Sequence, residues 1–273
     1  MVEYQLFPDI KLICGADKPH MQEGVGISYC LDGVMECKAD GSYYYLTSGN
    51  YMVYSINECS THTSENYNGL TLIVSGVSSG SSVTELVCDA DKLRERIKQK
   101  GAYIAKADGE LLRAFSDTLS DHSKAGEAWL KVRAVEMIML VSNLFTSVRA
   151  EYAEKISAVS YTICDSISCH VTISQLSKRV RLNPTTLKTA FKSTFGCSIY
   201  FYAKCRKMFR AAELLLQTDM KIIDIAEEVG YCNASKFAKA FRDVMSTAPR
   251  RFRMEHSHVL NSKNTCIPSY TAY

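Results

Sequence analysis

Through roughly the first 80 residues, apolar and polar positions alternate in short runs: "KLIC", "GVGISYCL", "VMECKA", "SYYYL", "NYMVYS" and "LTLIVS". A period of two, rich in valine, isoleucine and tyrosine, is the mark of strands. Asp32-Gly33, Asp40-Gly41 and Asn68-Gly69 punctuate these runs with residues suited to tight turns. So many short strands predict a small antiparallel barrel or sandwich. From about residue 84 the period lengthens: "SVTELVCDADKLRERIKQ" and "DGELLRAFSDTLS" fit helices, and "GEAWLKVRAVEMIMLVSNLFTSV" fits a longer one. In that helix Trp129, Val132, Val135, Leu140, Leu144 and Val148 form an apolar stripe, suited to core packing or to a homodimer seam.

The last 110 or so residues repeat one pattern twice. In "TISQLSKRVRLNPTTLKTAFKSTFG", Ile173, Leu176 and Val180 line a short helix, and Leu182 and Asn183 lead into a turn. Asn183 is a suitable N-cap and Pro184 a suitable first helical residue, so a second helix starts there and buries Leu187, Ala190 and Phe191. In "KIIDIAEEVGYCNASKFAKAFRDVM", Ile222, Ile225, Ala226 and Val229 line the first helix, and Gly230 supplies a left-handed turn. Asn233 then caps a helix that buries Phe237, Ala240 and Phe241. The segment between the units, "CSIYFYAKCRKMFRAAELLLQTDM", is long enough as a helix to hold them about one DNA turn apart. Each unit is a helix-turn-helix whose second helix projects polar side chains outward.

Charge sharpens that picture. The chain of 273 residues carries a formal +3. Residues 165–257 hold 16 Lys and Arg against 8 Asp and Glu, a net of +8, and the remainder has a net of −5. A basic half joined to an acidic half is the electrostatic footprint of a phosphate-binding surface, or simply a solvated lysine face. The length suits two domains, here 1–150 and 151–257 with a C-terminal tail at 258–273. The 11 cysteines include no C-x-x-C pair, the closest being Cys164 and Cys169. With no cationic start leading into an apolar run and no apolar stretch of about 18 residues, the chain reads as a soluble protein of a reducing, cytoplasmic compartment.

Residues 172–253 resemble the DNA-binding domain of AraC/XylS-type transcriptional regulators, through "IIDIAEEVGYCNASKFAKAFR", "APRRFR", "FKSTFGCSIYFY" and "RAAELLLQTD". Three positions depart from that pattern: Lys207 stands where an arginine is usual, and Ser246 and Ala248 where Gly and Thr are. The resemblance implies that both second helices enter successive major-groove segments of promoter DNA. Base-facing residues are then Thr185, Lys188, Thr189 and Lys192 in the first unit and Ala234, Ser235, Lys236 and Lys239 in the second. A lysine reads guanine O6 and N7, and a threonine methyl packs on thymine. Arg242, Arg250 and Arg251 hold phosphates, which fixes register and not sequence. Asn183, Pro184, Gly230, Asn233 and Pro249 shape the turns. The resemblance further implies activation through RNA polymerase and no cofactor. The strand-rich half resembles the sensory domains fused to such regulators, cupin-like in class and similar to the PchR-like subgroup in "YCLDGVMEC", "YYYLTSGNYMVYS" and "YNGLTLIVS". It would bind a small effector or mediate homodimerisation, with Tyr29, Tyr43, Tyr45, Tyr51 and Tyr54 lining a pocket or packing a core.

Other short motifs in the chain point to other chemistries. "GVSSG" matches the nucleophile elbow of serine hydrolases, with Ser78 as nucleophile and His122 as the one histidine downstream of it in the same domain, but the preceding strands are joined by turns instead of helices. "GVGISY" lacks the third glycine of a dinucleotide fingerprint. His20 and His62 have no H-x-H partner, which argues against a metal site. Cys30, Cys37 and Cys59 are redox reporters or inert packing. The remaining alternative is an interaction protein that binds a related regulator without activating.

Overall fold

The structure, a computed structural model, describes residues 2–15, 24–39, 41–75, 97, 101–144, 152–169 and 171–261. Nine strands are described: β1 (Val2–Phe7), β2 (Ile10–Cys14), β3 (Val25–Asp32), β4 (Val34–Ala39), β5 (Ser42–Thr47), β6 (Asn50–Ser55), β7 (Cys59–Thr63), β8 (Asn68–Val74) and β9 (Ala102–Lys106). They form two antiparallel sheets, one of six strands in the order β1-β2-β8-β3-β6-β9 and one of three in the order β5-β4-β7. The expected sandwich is therefore present, open and not closed into a barrel.

The punctuating dipeptides behave differently from one another. Gly41, φ 71°, leads into β5, whose Ser42 pairs with Ala39 at the end of β4, and Asp40 lies outside the described residues. Asp32-Gly33 carries the chain from the larger sheet to the smaller one. Asn68-Gly69 is not a turn but the start of β8, pairing with Asp32 and Cys30 across a bulge. A dipeptide that tolerates a turn does not demand one when ladder hydrogen bonds compete for it.

The six-stranded sheet is covered on both faces, so its central strands are buried throughout. On β3 and β6, Ile27, Tyr29, Tyr51 and Val53 face one core, and Cys30, Met52 and Tyr54 face the other. The first core is closed by α1 (Gly109–Asp121) and α2 (Glu127–Leu144), through Phe115, Leu130, Met137, Ile138 and Val141. The predicted stripe on α2 is corrected here. Val132 is 66% exposed and Trp129, Val135 and Leu140 are only partly covered, whereas Leu130, Ala134, Met137, Ile138 and Val141 are buried. A helix apolar around most of its circumference carries no single stripe, and the sheet decides which face is covered. Val148, and the side chain of Leu144, lie outside the described residues, as does the helix expected over 82–99 apart from the buried Ile97.

The C-terminal part is all helical: α3 (Ala153–Asp165), α4 (Ile173–Val180), α5 (Pro184–Phe195), α6 (Ile199–Gln217), α7 (Ile222–Glu228), α8 (Ala234–Met245) and α9 (Pro249–Asn261). Helix α3 buries Ile156, Val159 and Ile163 on one face. Helix α9 runs to Asn261. The second core continues from the strands into these helices without a break: Tyr45 packs edge-on against Tyr202 at 5.1 Å, and Tyr44 lies 5.2 Å from Phe195.

Candidate nucleic-acid interface

Each helix-turn-helix unit is framed by local caps. Thr172 and Gln175 form a reciprocal capping box at the start of α4. Arg181 ends α4 in the left-handed region, φ 53°, and the Leu182 amide donates to the Ser177 carbonyl. The Asn183 side chain then accepts from the Thr186 amide at 2.8 Å, with Pro184 at the first helical position of α5. In the second unit Asn233 accepts from the Lys236 amide at 2.9 Å. Gly230 turns the chain with φ 78°, and a Cβ there would collide with the Ser168 carbonyl and lie 2.8 Å from Lys207 Nζ. Both conformation and space therefore require glycine.

The buried faces of the two second helices leave a polar strip on each. Helix α5 buries Leu187, Phe191 and Phe195, and Thr185, Lys188, Thr189 and Lys192 are all exposed on it. Helix α8 buries Phe237, Ala240, Phe241, Val244 and Met245, and Ala234, Ser235, Lys236 and Lys239 are exposed. Between the units α6 spans 19 residues, or about 28 Å. That is near one turn of duplex, about 34 Å. Arg242, Arg250 and Arg251 are also exposed, and Arg251 is engaged with Glu255 at 2.7 Å. Pro249 is buried at the start of α9.

The count of cations overstates the free positive surface. Lys204 is matched to Asp243 at 2.7 Å, Arg253 donates to the Leu215 carbonyl, and Lys207 is half-buried with its Nζ donating to the Val229 carbonyl at 2.9 Å. Arg206 is turned fully inward, and sequence reasoning missed it. Its guanidinium stacks 3.8 Å from the Tyr43 ring centroid, and Nη2 donates to the Tyr43 hydroxyl at 3.0 Å. Nη1 lies 3.9 Å from Glu36 and 3.8 Å from Glu213. Glu36 also accepts from the Tyr45 hydroxyl at 2.7 Å. Burial outweighs these partners and pushes the Glu36 carboxyl up from an ordinary 4.5 to about 7. The available signal was a carboxylate flanked by apolar residues in "VMEC".

Of the two roles open to the five tyrosines, core packing takes most of them. Tyr29 stacks on Phe115 at 4.8 Å, and Tyr45, Tyr51 and Tyr54 are at most 1% exposed, so all four are core. Tyr43 lies between the strands and α6, against Arg206. Burial raises the Cys30 thiol to about 12, and a hydrogen bond with Cys59 together with burial raises the Cys37 thiol well above its usual range, which suits packing and not thiolate chemistry. His122 is bonded to the Tyr4 hydroxyl at 3.0 Å, and His62 sits on β7. Ser78, with the whole "GVSSG" stretch, and His20 lie outside the described residues. Among the described residues no three His, Cys, Asp or Glu side chains gather as metal ligands, and no helix is long and apolar enough to cross a membrane.

Residues 176–255 match the family described as "Helix-turn-helix domain". The chain is 25% identical over 144 residues to the uncharacterized HTH-type transcriptional regulator YtdP of Bacillus subtilis, a match covering 53% of this chain and 17% of that protein. It is 31% identical over 94 residues to the lactose operon transcription activator of Staphylococcus xylosus, covering 34% of this chain and 33% of the activator. It is 35% identical over 81 residues to the HTH-type transcriptional regulator ExsA of Pseudomonas aeruginosa, covering 30% and 29% respectively. The chain thus matches a third or less of the length of each relative. Within the matched part, residues 176–255 are a helix-turn-helix domain of the AraC type, a DNA-binding domain of transcriptional regulators.

Proposed function

We propose that the whole protein is a sequence-specific transcriptional regulator that binds promoter DNA with both units. The observation that carries this reading is the pair of exposed polar strips, Thr185-Lys188-Thr189-Lys192 and Ser235-Lys236-Lys239, on helices held apart by α6. In this reading the lysines meet guanine edges in successive major-groove segments, with Ala234 close to the same edge. Arg242, Arg250 and Arg251 meet phosphates, giving affinity that falls with salt. Target sites are direct repeats, bound head to tail. The names of two relatives, a lactose operon transcription activator and an F1 operon positive regulatory protein, support activation as the output; RNA polymerase is then the partner that the family resemblance implies. The strand-rich half acts as the sensory or self-associating part, in keeping with its resemblance to PchR-like domains.

The test is selection of random duplexes by the full chain at fixed salt, repeated with a Lys188, Lys192, Lys236 and Lys239 quadruple alanine variant. The expected result is an enriched motif of two short blocks about 10 base pairs apart, lost in the variant. Enrichment that survives in the variant would overturn the assignment of base readers. Salt-sensitive retention without any motif would overturn sequence-specific binding by the protein alone.

A further inference from the structure

A cavity of about 650 Å³ opens where α3, the α3–α4 connection, α6 and the α7–α8 turn meet. Small-molecule sites commonly measure roughly 300 to 1,000 Å³. It lies inside the helical part, away from the tyrosine-rich strands where an effector pocket was expected. Ile163, Val171, Ile173, Ile199 and Ala203 give it an apolar wall. Lys207 enters that wall from α6, close to the Tyr231 ring, with its ammonium 5.6 Å from the ring centroid.

The cation is under-compensated. An ammonium has three donors, and the hydrogen bond described for Lys207 Nζ goes to the Val229 carbonyl. Among the described residues no carboxylate forms an ion pair with it, whereas Lys204, one turn earlier and on the same wall, is held by Asp243 at 2.7 Å. Burial lowers the Lys207 pKa, and the neighbouring Cys169 thiol offsets this only in part. A purely apolar occupant would leave that ammonium desolvated, and a bare inorganic anion would leave the isoleucine wall wet.

We propose that this cavity binds a small monocarboxylate with an apolar body, the carboxylate on Lys207 and the body against Ile173 and Ile199. Such a ligand touches the start of the first unit through Ile173 and the second through Tyr231 and Lys236. It ties both units to α6 and fixes their relative orientation. Its effect on DNA binding rests on the proposed function, but its binding does not.

The experiment is calorimetric titration of the full chain, without DNA, using decanoate below its micellar range, decan-1-ol and inorganic phosphate. Decanoate is expected to saturate one site, with decanol at least about tenfold weaker, because a charge-assisted hydrogen bond is worth roughly 1.5 to 3 kcal/mol. Lys207→Gln and the cavity-filling Ala203→Met should each weaken decanoate at least about tenfold, with thermal unfolding reported for both to show that they fold. Absence of decanoate binding overturns the proposal, as does equal affinity for decanol. Decanoate that binds both variants like the native chain sits elsewhere and overturns it too. Phosphate binding that depends on Lys207, without a decanoate site, would assign the lysine to the DNA backbone instead.

Discussion

The two recognition helices end alike and live differently. Helix α5 closes on Gly196, φ 71°, and α8 closes on Ser246, φ 65°, each with its amide bonded to the carbonyl four residues back. A Cβ at Gly196 would collide with the Ile104 side chain on β9, whereas Ser246 is exposed and has room for its own. The first unit is thus docked on the strand-rich half, through Phe195 on Tyr44 and Gly196 on Ile104. The second packs mainly on α6 and α9, meeting the strands through a 3.4 Å bond from the Glu65 amide to the Met245 carbonyl. The same cap needs glycine where another layer presses on it and accepts serine where water does. Of the two, the first unit makes the closer contact with the N-terminal half.

The strongest way to break that contrast is at Arg206, which joins α6 to Tyr43 and Glu36. Arg206→Ala leaves Glu36 buried beside Tyr45 without its cation, and should destabilise the chain by about 3 to 5 kcal/mol in chemical denaturation. A loss under about 1 kcal/mol would mean that the contact between halves does not depend on this pair. Gly196→Ala comes next. Left-handed strain of about 1 to 2 kcal/mol adds to the clash with Ile104, so it should destabilise clearly and speed proteolysis between the halves, while Ser246→Ala changes stability little.

The same contact can be read by pH. The Glu36 carboxyl is raised in the fold to about 7 from 4.5, so the native state holds the extra proton between these values. Its contribution to stability is therefore complete below about 4.5 and is lost as pH climbs to about 7. Thermal melts of the native chain and Glu36→Gln should show the native chain's relative stability falling from pH 5 to pH 7 and levelling above. A flat difference would place an ionised Glu36 in the fold throughout.

On the DNA side, Lys188→Ala and Lys239→Ala should each weaken cognate binding by roughly 1 to 3 kcal/mol more than random-duplex binding. Gel-shift titration on both duplexes decides it, equal losses counting against base reading. The smallest effect is expected at Ser246→Gly, where relieving a positive φ is partly offset by glycine's entropy, a gain of a few tenths to about 1 kcal/mol in melting.

The helix-turn-helix units were legible because their determinants are local. Asn183, Pro184, Gly230 and Asn233 act within one or two turns of chain, and the 3.6-residue spacing of Leu187 and Phe191, or Phe237 and Phe241, names its own buried face. The open sandwich was legible in kind from the period-two runs. Less legible was anything set by what lies across a gap. The covered face of α2 depended on the sheet it meets, and the role of Asn68-Gly69 depended on β3 being available to pair. The inward turn of Arg206 required Glu36, 170 positions earlier, to be placed opposite it. The sequence by itself determined the caps, the periods and the exposed strips of α5 and α8, because hydrogen bonds of short reach and side-chain spacing enforce them. Only the tertiary structure decided which apolar faces are buried, which lysines remain free, and that one core runs through both halves, because burial depends on the partner surface and no local pattern encodes where that surface will be.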